Sequence, residues 1–223
     1  MDPVKGAVFY TLSQKLADRP RFVRDDASCL QCHSGAQTQG GPGLMIRSVY
    51  TDQQGFALVD ADQLTTTHRT PIEKRWGGWY VTAKRNTQPH LGNLILDENV
   101  NTTTLKPGMS QSRVSLNELF DTDQYLTPHS DIVALLILEH QTHMQSLITR
   151  AQYRATITLE REKELAEILG RQPEKLTKRT QREIQRVGDA LLRYMLFSNE
   201  AKLVGPIEGS ADQFITHTNP KNF

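Results

Sequence analysis

The chain has 223 residues, of which 26 are lysine or arginine and 25 are aspartate or glutamate, so its formal net charge at pH 7 is +1. This even balance gives no indication of a nucleic-acid partner or of a charged membrane surface. The length allows one large domain or two small ones with a real hydrophobic core, and no apolar run approaches the ~20 residues that span a bilayer.

The first predicted element is a short helix over residues 7–17. Its apolar residues follow the spacing of one helix face, and they are Val8, Phe9, Leu12 and Leu16. Pro20 and the two residues before it would end this helix.

Both cysteines of the chain lie in one motif, in which Cys29, Cys32 and His33 form Cys-x-x-Cys-His. This spacing is the attachment signature of a c-type haem, and at these residues the chain resembles c-type cytochromes. Two thiols three positions apart on one turn can each bond a haem vinyl group, and the next imidazole can bind the iron. We therefore expect one covalently attached haem c, tethered by the two cysteines and ligated by the histidine.

Three other interpretations of the motif stay open. A surface loop with two free thiols needs no cofactor at all. Half of a zinc site would need a second pair of ligands, and the sequence has no second Cys/His knuckle. A thioredoxin-type dithiol should follow a strand inside a βαβ unit, whereas residues 24–28 indicate a loop or the start of a helix.

A glycine-rich loop over residues 34–43 follows the motif and would let the backbone approach a flat ligand closely. The next segments, 44–50 and 56–59, flank a turn that contains Gly55, which predicts a β-hairpin. We expect the β part of the protein to lie between about residues 44 and 96.

Both tryptophans of the chain, Trp76 and Trp79, fall within four residues around two glycines and are followed by Tyr80. Such a block is suited to a close-packed wall against a large flat group, and we expect these three side chains to line the haem site. The competing interpretation is an ordinary aromatic core. His90 follows in a His-x-Gly-Asn sequence.

Several segments together resemble a group of bacterial haem proteins with a cytochrome-c domain, over about residues 9–150. The shared segments are Cys-x-x-Cys-His, Arg47-Ser48-Val49, Arg75 to Thr82, His90 to Asn93, and Leu138-Glu139-His140-Gln141. This resemblance implies a haem protein of the periplasm and says little about a reaction. A periplasmic location requires export, and since residues 1–6 lack the pattern of a signal peptide, we expect the signal to be missing from this sequence.

The sixth iron ligand is predicted to be His90, because Gly92 gives its loop the freedom to fold over the distal face of the haem. His68, Met109 and Met45 are the other candidates, in that order. A second histidine would hold the iron at a lower potential than a methionine would.

From residue 127 onward the chain is predicted to be helical, with Thr127-Pro128 as the start of a helix that reaches about residue 156. Further helices are expected over 159–169 and 178–197. Glu139, His140 and His143 lie close together on the helix that begins at Thr127-Pro128. A non-haem metal site at these three residues is left open. The favoured interpretation is that His140 packs toward the haem or forms a hydrogen bond inside the core.

The predicted fold is mainly α with a small β portion, a cytochrome-c-like haem domain extended by C-terminal helices. Residues 1–126 would form the haem-binding region, and residues 127–223 would pack on it as one compact unit. We expect a periplasmic electron-transfer protein with a protein redox partner, no nucleic acid and no transmembrane segment. The alternatives are a haem enzyme or small-ligand sensor with an open or displaceable distal position, and a structural or zinc-binding protein.

Overall fold

The fold combines three α-helices with six short strands over the residues that the computed structural model describes, which are 2–16, 18–25, 27–58, 64–96, 113–171 and 176–210. The helices are α1 (Ser28–His33), α2 (Ile132–Ile168) and α3 (Lys178–Met195). The strands are β1 (Phe9–Leu12), β2 (Phe22–Asp25), β3 (Ile46–Ser48), β4 (Leu64–Thr66), β5 (Ala83–Asn86) and β6 (Ile207–Gly209). They pair as three antiparallel two-stranded sheets, β1–β2, β3–β4 and β5–β6. Helices with a small β part were predicted, and this coarse description is confirmed.

The predicted helix over residues 7–17 is wrong, because this segment contains strand β1. Phe9 lies opposite Asp25 and Leu12 lies opposite Phe22 in an antiparallel hairpin. The sequence Phe-Tyr-Thr-Leu favours an extended strand, and an antiparallel partner outside the segment decides between strand and helix. Local apolar spacing does not reveal such a partner.

The turn predicted at residues 51–55 is present, but the pairing of its strands differs from the prediction. Asp52 Oδ1 accepts hydrogen bonds from the backbone N–H groups of Gln54 (2.9 Å) and Phe56 (2.8 Å), and Gly55 has a φ of +85°. Thr51 and Ala57 form an isolated bridge across this turn. The strand β3, however, pairs with β4 rather than with residues 56–59.

Helix α2 is one continuous helix where two were predicted, and its N-cap is not at Thr127-Pro128. Asp131 caps it, since its Oδ1 accepts hydrogen bonds from the N–H groups of Val133 (2.9 Å) and Ala134 (3.0 Å). After α2 ends at Ile168, Gly170 adopts a φ of +60°, the left-handed conformation that commonly ends helices. None of the helices in the described ranges combines the length and apolarity needed to cross a bilayer.

Contacts divide the chain into two compact units. The first unit contains residues 1–45 and 141–198, and the second contains residues 46–140 and 199–223. Helix α2 contributes its beginning to the second unit and its remainder to the first. The proposed packing of residues 127–223 on residues 1–126 stays a prediction.

In the first unit, the glycine-rich loop rests directly on α2. A Cβ atom at Gly43 would lie 2.6 Å from Ser146 Oγ, and one at Gly41 would lie 3.2 Å from Thr149 Cγ2, so glycine permits this close approach. Ser146 Oγ also donates a hydrogen bond to the carbonyl of Leu44 (3.1 Å). The loop that follows the cysteine motif is therefore fixed to the helix.

In the second unit, a hydrophobic core forms around the tryptophan block and the start of α2. Its buried members are Ile72, Trp76, Val81, Ala83, Ile132 and Leu135. The backbone of Thr82 connects the two segments, since its carbonyl accepts from the N–H of Ile132 (2.9 Å) and its N–H donates to the carbonyl of Ser130 (2.7 Å).

Candidate functional site

The Cys-x-x-Cys-His motif forms the short helix α1, and the carboxylate of Asp25 fixes its beginning. Asp25 Oδ1 accepts hydrogen bonds from the N–H groups of Ala27 (3.0 Å), Ser28 (2.8 Å) and Cys29 (3.3 Å). The Ser28 hydroxyl also donates a hydrogen bond to Asp25 Oδ2, and this bond, followed by the backbone bonds, holds the pKa of Asp25 below its usual value. Because Asp25 is also the last residue of β2, its hydrogen bonds connect the hairpin to the start of the motif.

The two cysteines lie on consecutive turns of one side of α1 and carry free thiols. Cys29 is half-buried and Cys32 is exposed, so both can react with a group that approaches from solvent. Residues three apart on a helix are neighbours on its surface. Neither thiol is part of a disulfide bond.

His33 is the last residue of α1, and its ring is oriented by the glycine-rich loop. The ring Nδ1 lies 3.0 Å from the carbonyl oxygen of Gly43, and because a carbonyl only accepts, Nδ1 must carry the proton. The Gly43 N–H in turn donates to the His33 carbonyl (2.9 Å), and the ring of Phe9 packs against the imidazole at 4.6 Å. This arrangement leaves the Nε2 lone pair available, as in histidines that bind metals through Nε2.

The hairpin next to the motif exposes large apolar side chains to an unusual degree. Tyr10, Phe22 and Val23 expose 56%, 72% and 62% of their surface, respectively. Isolated exposed apolar residues are common, but several on one short hairpin are typical of a surface that binds something. The hairpin is joined to α1 through Asp25 and contacts His33 through Phe9. Val23 lies on the same face of the hairpin as Phe9, which packs against His33, whereas Tyr10 and Phe22 lie on the opposite face. A flat apolar group held at the motif, such as a haem, would therefore have Phe9 and Val23 on the side of the hairpin that faces His33.

Of the three alternative interpretations, a surface segment with two free thiols agrees with the exposure of Cys32, whereas the zinc and dithiol interpretations lack their expected surroundings. Among the described residues, no group of three or more His, Cys, Asp or Glu side chains is arranged to hold a metal ion, whereas structural zinc takes four such ligands. The strand before α1 belongs to an antiparallel hairpin rather than to the βαβ unit expected for a thioredoxin-type dithiol.

The other segments quoted for the resemblance come together in the second unit. The N–H of Gly77 donates to Ser48 Oγ (2.9 Å), and the indole N–H of Trp79 donates to the carbonyl of Arg47 (2.9 Å). Asn93 pairs with Val81 through two hydrogen bonds, accepting from its N–H (2.7 Å) and donating to its carbonyl (2.8 Å). The Arg-Ser-Val, tryptophan and His-x-Gly-Asn segments therefore form one assembly.

Trp76 is the centre of this assembly. It is 1% exposed, and its φ of +65° places a bulky residue in the left-handed region that glycine usually occupies. Such backbone costs about 1–3 kcal/mol and persists only where the surrounding packing enforces it. The other two residues of the predicted wall are more open: Trp79 is half-buried, and Tyr80 is exposed and packs against Phe120 at 5.2 Å. Their role in a cofactor site stays a prediction.

His90 is completely buried and packs edge-on against Trp76 at 5.6 Å. Its Nδ1 accepts a hydrogen bond from the N–H of Gly92 (3.1 Å), which places the ring proton on Nε2. That Nε2 has no hydrogen-bond partner among the described residues. Burial lowers the pKa of His90 to about 4, so the ring is neutral at pH 7. The two histidines therefore carry their ring protons on different atoms: His90 carries it on Nε2, whereas His33 carries it on Nδ1 and keeps its Nε2 lone pair available.

The buried and unpaired Nε2 of His90 makes this residue a candidate metal ligand. An unpaired buried polar group costs about 1–3 kcal/mol, and each one in a native protein needs an explanation. For His90 to bind iron through Nε2, the ring proton must move to Nδ1 and the hydrogen bond from Gly92 must break. His33 belongs to the first unit and His90 to the second. Their pairing as axial ligands stays a prediction.

The remaining candidate ligands are in different situations. His68 is half-buried in the second unit, and burial lowers the pKa of its ring. Met45 is half-buried in the first unit. Met109 lies outside the described residues.

Glu139 forms a buried ion pair with Arg75 that sequence reasoning missed. Arg75 and Glu139 side chains are 4% and 8% exposed, and their charged groups lie 2.8 Å apart. Arg75 also donates to the carbonyls of Thr70 (2.8 Å) and His68 (3.1 Å). Burial raises the pKa of Glu139, although Arg75 opposes this change. The two carbonyls hold the guanidinium of Arg75 in place, and this guanidinium explains why α2 carries the carboxylate of Glu139 inward.

The two histidines near Glu139 have separate partners. His140 Nδ1 lies 3.3 Å from Glu200 Oε1 in the second unit. The ring of His143 packs against Tyr194 at 4.8 Å in the first unit. The contact of His140 with Glu200 joins side chains that are 22% and 32% exposed, whereas the expectation was packing toward the haem or a hydrogen bond inside the core. The non-haem metal interpretation loses its carboxylate to Arg75.

Comparison of the chain with protein families, with curated proteins and with solved structures gives no match. The resemblance to cytochrome-c-domain proteins therefore stays an expectation that depends on the motifs alone.

Proposed function

We propose that the protein is a c-type haem protein of the periplasm that transfers electrons to or from a protein redox partner. In this proposal Cys29 and Cys32 hold one haem covalently and His33 ligates its iron. The observation that carries the proposal is the combination of two free thiols on one side of α1 with an adjacent imidazole whose Nδ1–H is bound to the Gly43 carbonyl.

The attachment chemistry needs only the two thiols. Each S–H adds across one vinyl C=C bond, so that a C–S bond forms and the thiol hydrogen goes to the other vinyl carbon. No separate oxidant is required. When bound, the haem supplies one-electron exchange at its iron. The chain supplies the tether, the orientation of His33 and an apolar surface that limits water.

The hydrogen bond from His33 to Gly43 has a clear role in this proposal. It holds the imidazole plane in one orientation and keeps the ring proton on Nδ1, as backbone carbonyls do for histidine ligands in metal sites. Gly43 is itself fixed by its close approach to Ser146 on α2. Helix α2 therefore supports the orientation of the ligand, which is consistent with a haem domain extended by C-terminal helices.

His90 is the proposed sixth ligand, because its Nε2 is buried and unpaired and becomes a donor to iron once the ring proton moves to Nδ1 and the hydrogen bond from Gly92 breaks. Because its ring is neutral at pH 7, protonation would not compete with binding to iron. Trp76, Trp79 and Tyr80 would wall this side of the site.

Optical spectra of the protein matured in a host that attaches haem c test the proposal. We expect narrow α and β bands after reduction, and no change on adding CO or cyanide, because both axial positions are filled. Spectral shifts with either ligand would overturn electron transfer in favour of an enzyme or sensor with a displaceable distal position. A spectrum without a Soret band would remove haem altogether.

A further inference from the structure

Helices α2 and α3 form a groove in the first unit that is lined mainly by arginine. The groove has a volume of about 700 Å³. Its charged residues are Arg154, Arg161 and Glu162 on α2, and Arg179, Arg182, Glu183 and Arg186 on α3. Five cations and two anions thus line one concave surface of a chain whose formal net charge is only +1.

Both carboxylates of the groove are already used within it. Glu162 accepts hydrogen bonds from the hydroxyls of Thr177 (2.8 Å) and Thr180 (2.5 Å), which fixes the beginning of α3 to α2. These bonds, led by the one from Thr180, hold the pKa of Glu162 below its usual value. Glu183 pairs with Arg186 one turn further along α3 (3.0 Å). The two anions therefore organise the groove and leave its five cations in excess.

The other four arginines of the groove form no ion pair with a described residue. Among the described residues, Arg154, Arg161, Arg179 and Arg182 have no ion-pair partner, and all four are exposed. Guanidinium groups bind carboxylates through two parallel hydrogen bonds, so several on one surface favour an anionic ligand. Leu165, 45% exposed in the same groove, adds an apolar contact.

The spacing of the arginines follows the helix repeat. Arg154 and Arg161 are seven residues apart on one face of α2, or about 10 Å along the axis. Arg179, Arg182 and Arg186 repeat at three and four residues along α3. A third helix that lies in the groove would present its own side chains at these intervals, and helices pack side by side in this way in bundles. A flat membrane surface would not reach both walls of a concave groove.

We propose that this arginine groove binds an acidic helical segment of a partner protein, with carboxylates at i, i+3 or i+4, and i+7. The proposal goes beyond electron transfer and depends only on the pair of helices. The apolar contact at Leu165 would be covered by an apolar residue on the same face of the bound helix.

Binding of the full-length protein to a synthetic peptide tests this proposal by fluorescence anisotropy at low and high salt. The peptide is alanine-rich, has about 20 residues so that it is helical, and carries glutamates on one face at the proposed spacing. We expect binding that weakens with salt, and we expect Arg161→Gln with Arg182→Gln to reduce affinity about tenfold. The matched control is Lys163→Gln with Arg193→Gln, which removes the same charge from exposed positions of α2 and α3 outside the groove.

Three results would overturn the proposal. The first is an equal loss of affinity in the control variant, which would show binding to charge alone. The second is equal binding of a peptide with the same glutamates distributed around the helix. The third is displacement of the peptide by inorganic polyphosphate at lower concentration than by free acidic peptide, which would assign the groove to phosphates. Circular dichroism of each variant checks that the helices are intact.

Discussion

Replacing Glu139 with alanine leaves the guanidinium of Arg75 charged and buried beside the core of the second unit. Removal of one partner of a buried pair destabilises a protein by about 3–5 kcal/mol. Arg75 keeps its hydrogen bonds to the carbonyls of Thr70 and His68. We therefore expect the lower end of that range, about 3 kcal/mol.

Two further variants separate charge from packing at this pair. Glu139→Gln keeps an acceptor oxygen for the guanidinium and should cost about half as much as alanine. Arg75→Met combined with Glu139→Leu removes both charges and keeps the volume, so it should lie closer to the wild type than Glu139→Ala does. The control is Glu183→Gln, at an exposed pair on α3, which should change stability by less than about 0.5 kcal/mol.

Urea unfolding at pH 7, followed by tryptophan fluorescence and circular dichroism, measures these differences. With a slope of about 2–3 kcal/mol per molar urea, a loss of 3 kcal/mol moves the midpoint by about 1 M. If Glu139→Ala unfolds at the same urea concentration as the wild type, the buried pair contributes nothing and the reasoning is refuted. The same holds if the uncharged double variant is the least stable of the set.

Three other changes test the second unit. Burial lowers the pKa of His90 from 6.5 to about 4, so the stabilisation from the neutral ring is present above pH 6.5 and lost as the pH falls toward 4. Between pH 8 and pH 4 the free energy of unfolding of the haem-free chain should fall by about 3 kcal/mol more than that of His90→Asn. Parallel pH profiles of the two proteins would contradict this. Gly92→Ala places a methyl group against the buried side chain of Val81 and should cost about 1–3 kcal/mol in urea unfolding, whereas an unchanged midpoint would show that the loop can move away. Asp131→Ala removes the cap of α2 and a hydrogen bond to the Ser210 backbone, so thermal unfolding should show a loss of about 1–2 kcal/mol, with Asp131→Asn milder.

Sequence reasoning succeeded where a local pattern determines the structure. The helix predicted at 178–197 is α3, because its apolar residues repeat at helical spacing and Thr177 caps it. The turn at Gly55 is present because aspartate and glycine favour it at close range. Such elements need no information from distant parts of the chain.

The failures occurred where a distant partner decides the local structure. Strand β1 depends on pairing with β2, and β3 pairs with β4 across a segment that the sequence suggested as its own hairpin. The polar turn at Glu139 left a metal site open, because nothing in its own helix indicates Arg75, 64 residues away. The orientation of His33 by the Gly43 carbonyl was equally invisible in the sequence, although the glycine-rich loop indicated close backbone approach.

The central claim is that Cys29 and Cys32 each form a bond to one haem, and the mass of the intact protein tests it most directly. The chain is exported with a signal peptide in a host that matures cytochromes c, and its mass is measured after denaturation in acid. We predict the mass of the polypeptide plus one haem, and the bare polypeptide mass for the variant with Cys29→Ala and Cys32→Ala. A wild-type protein that retains its polypeptide mass, or whose haem is extracted completely by acid-acetone, would contradict the account.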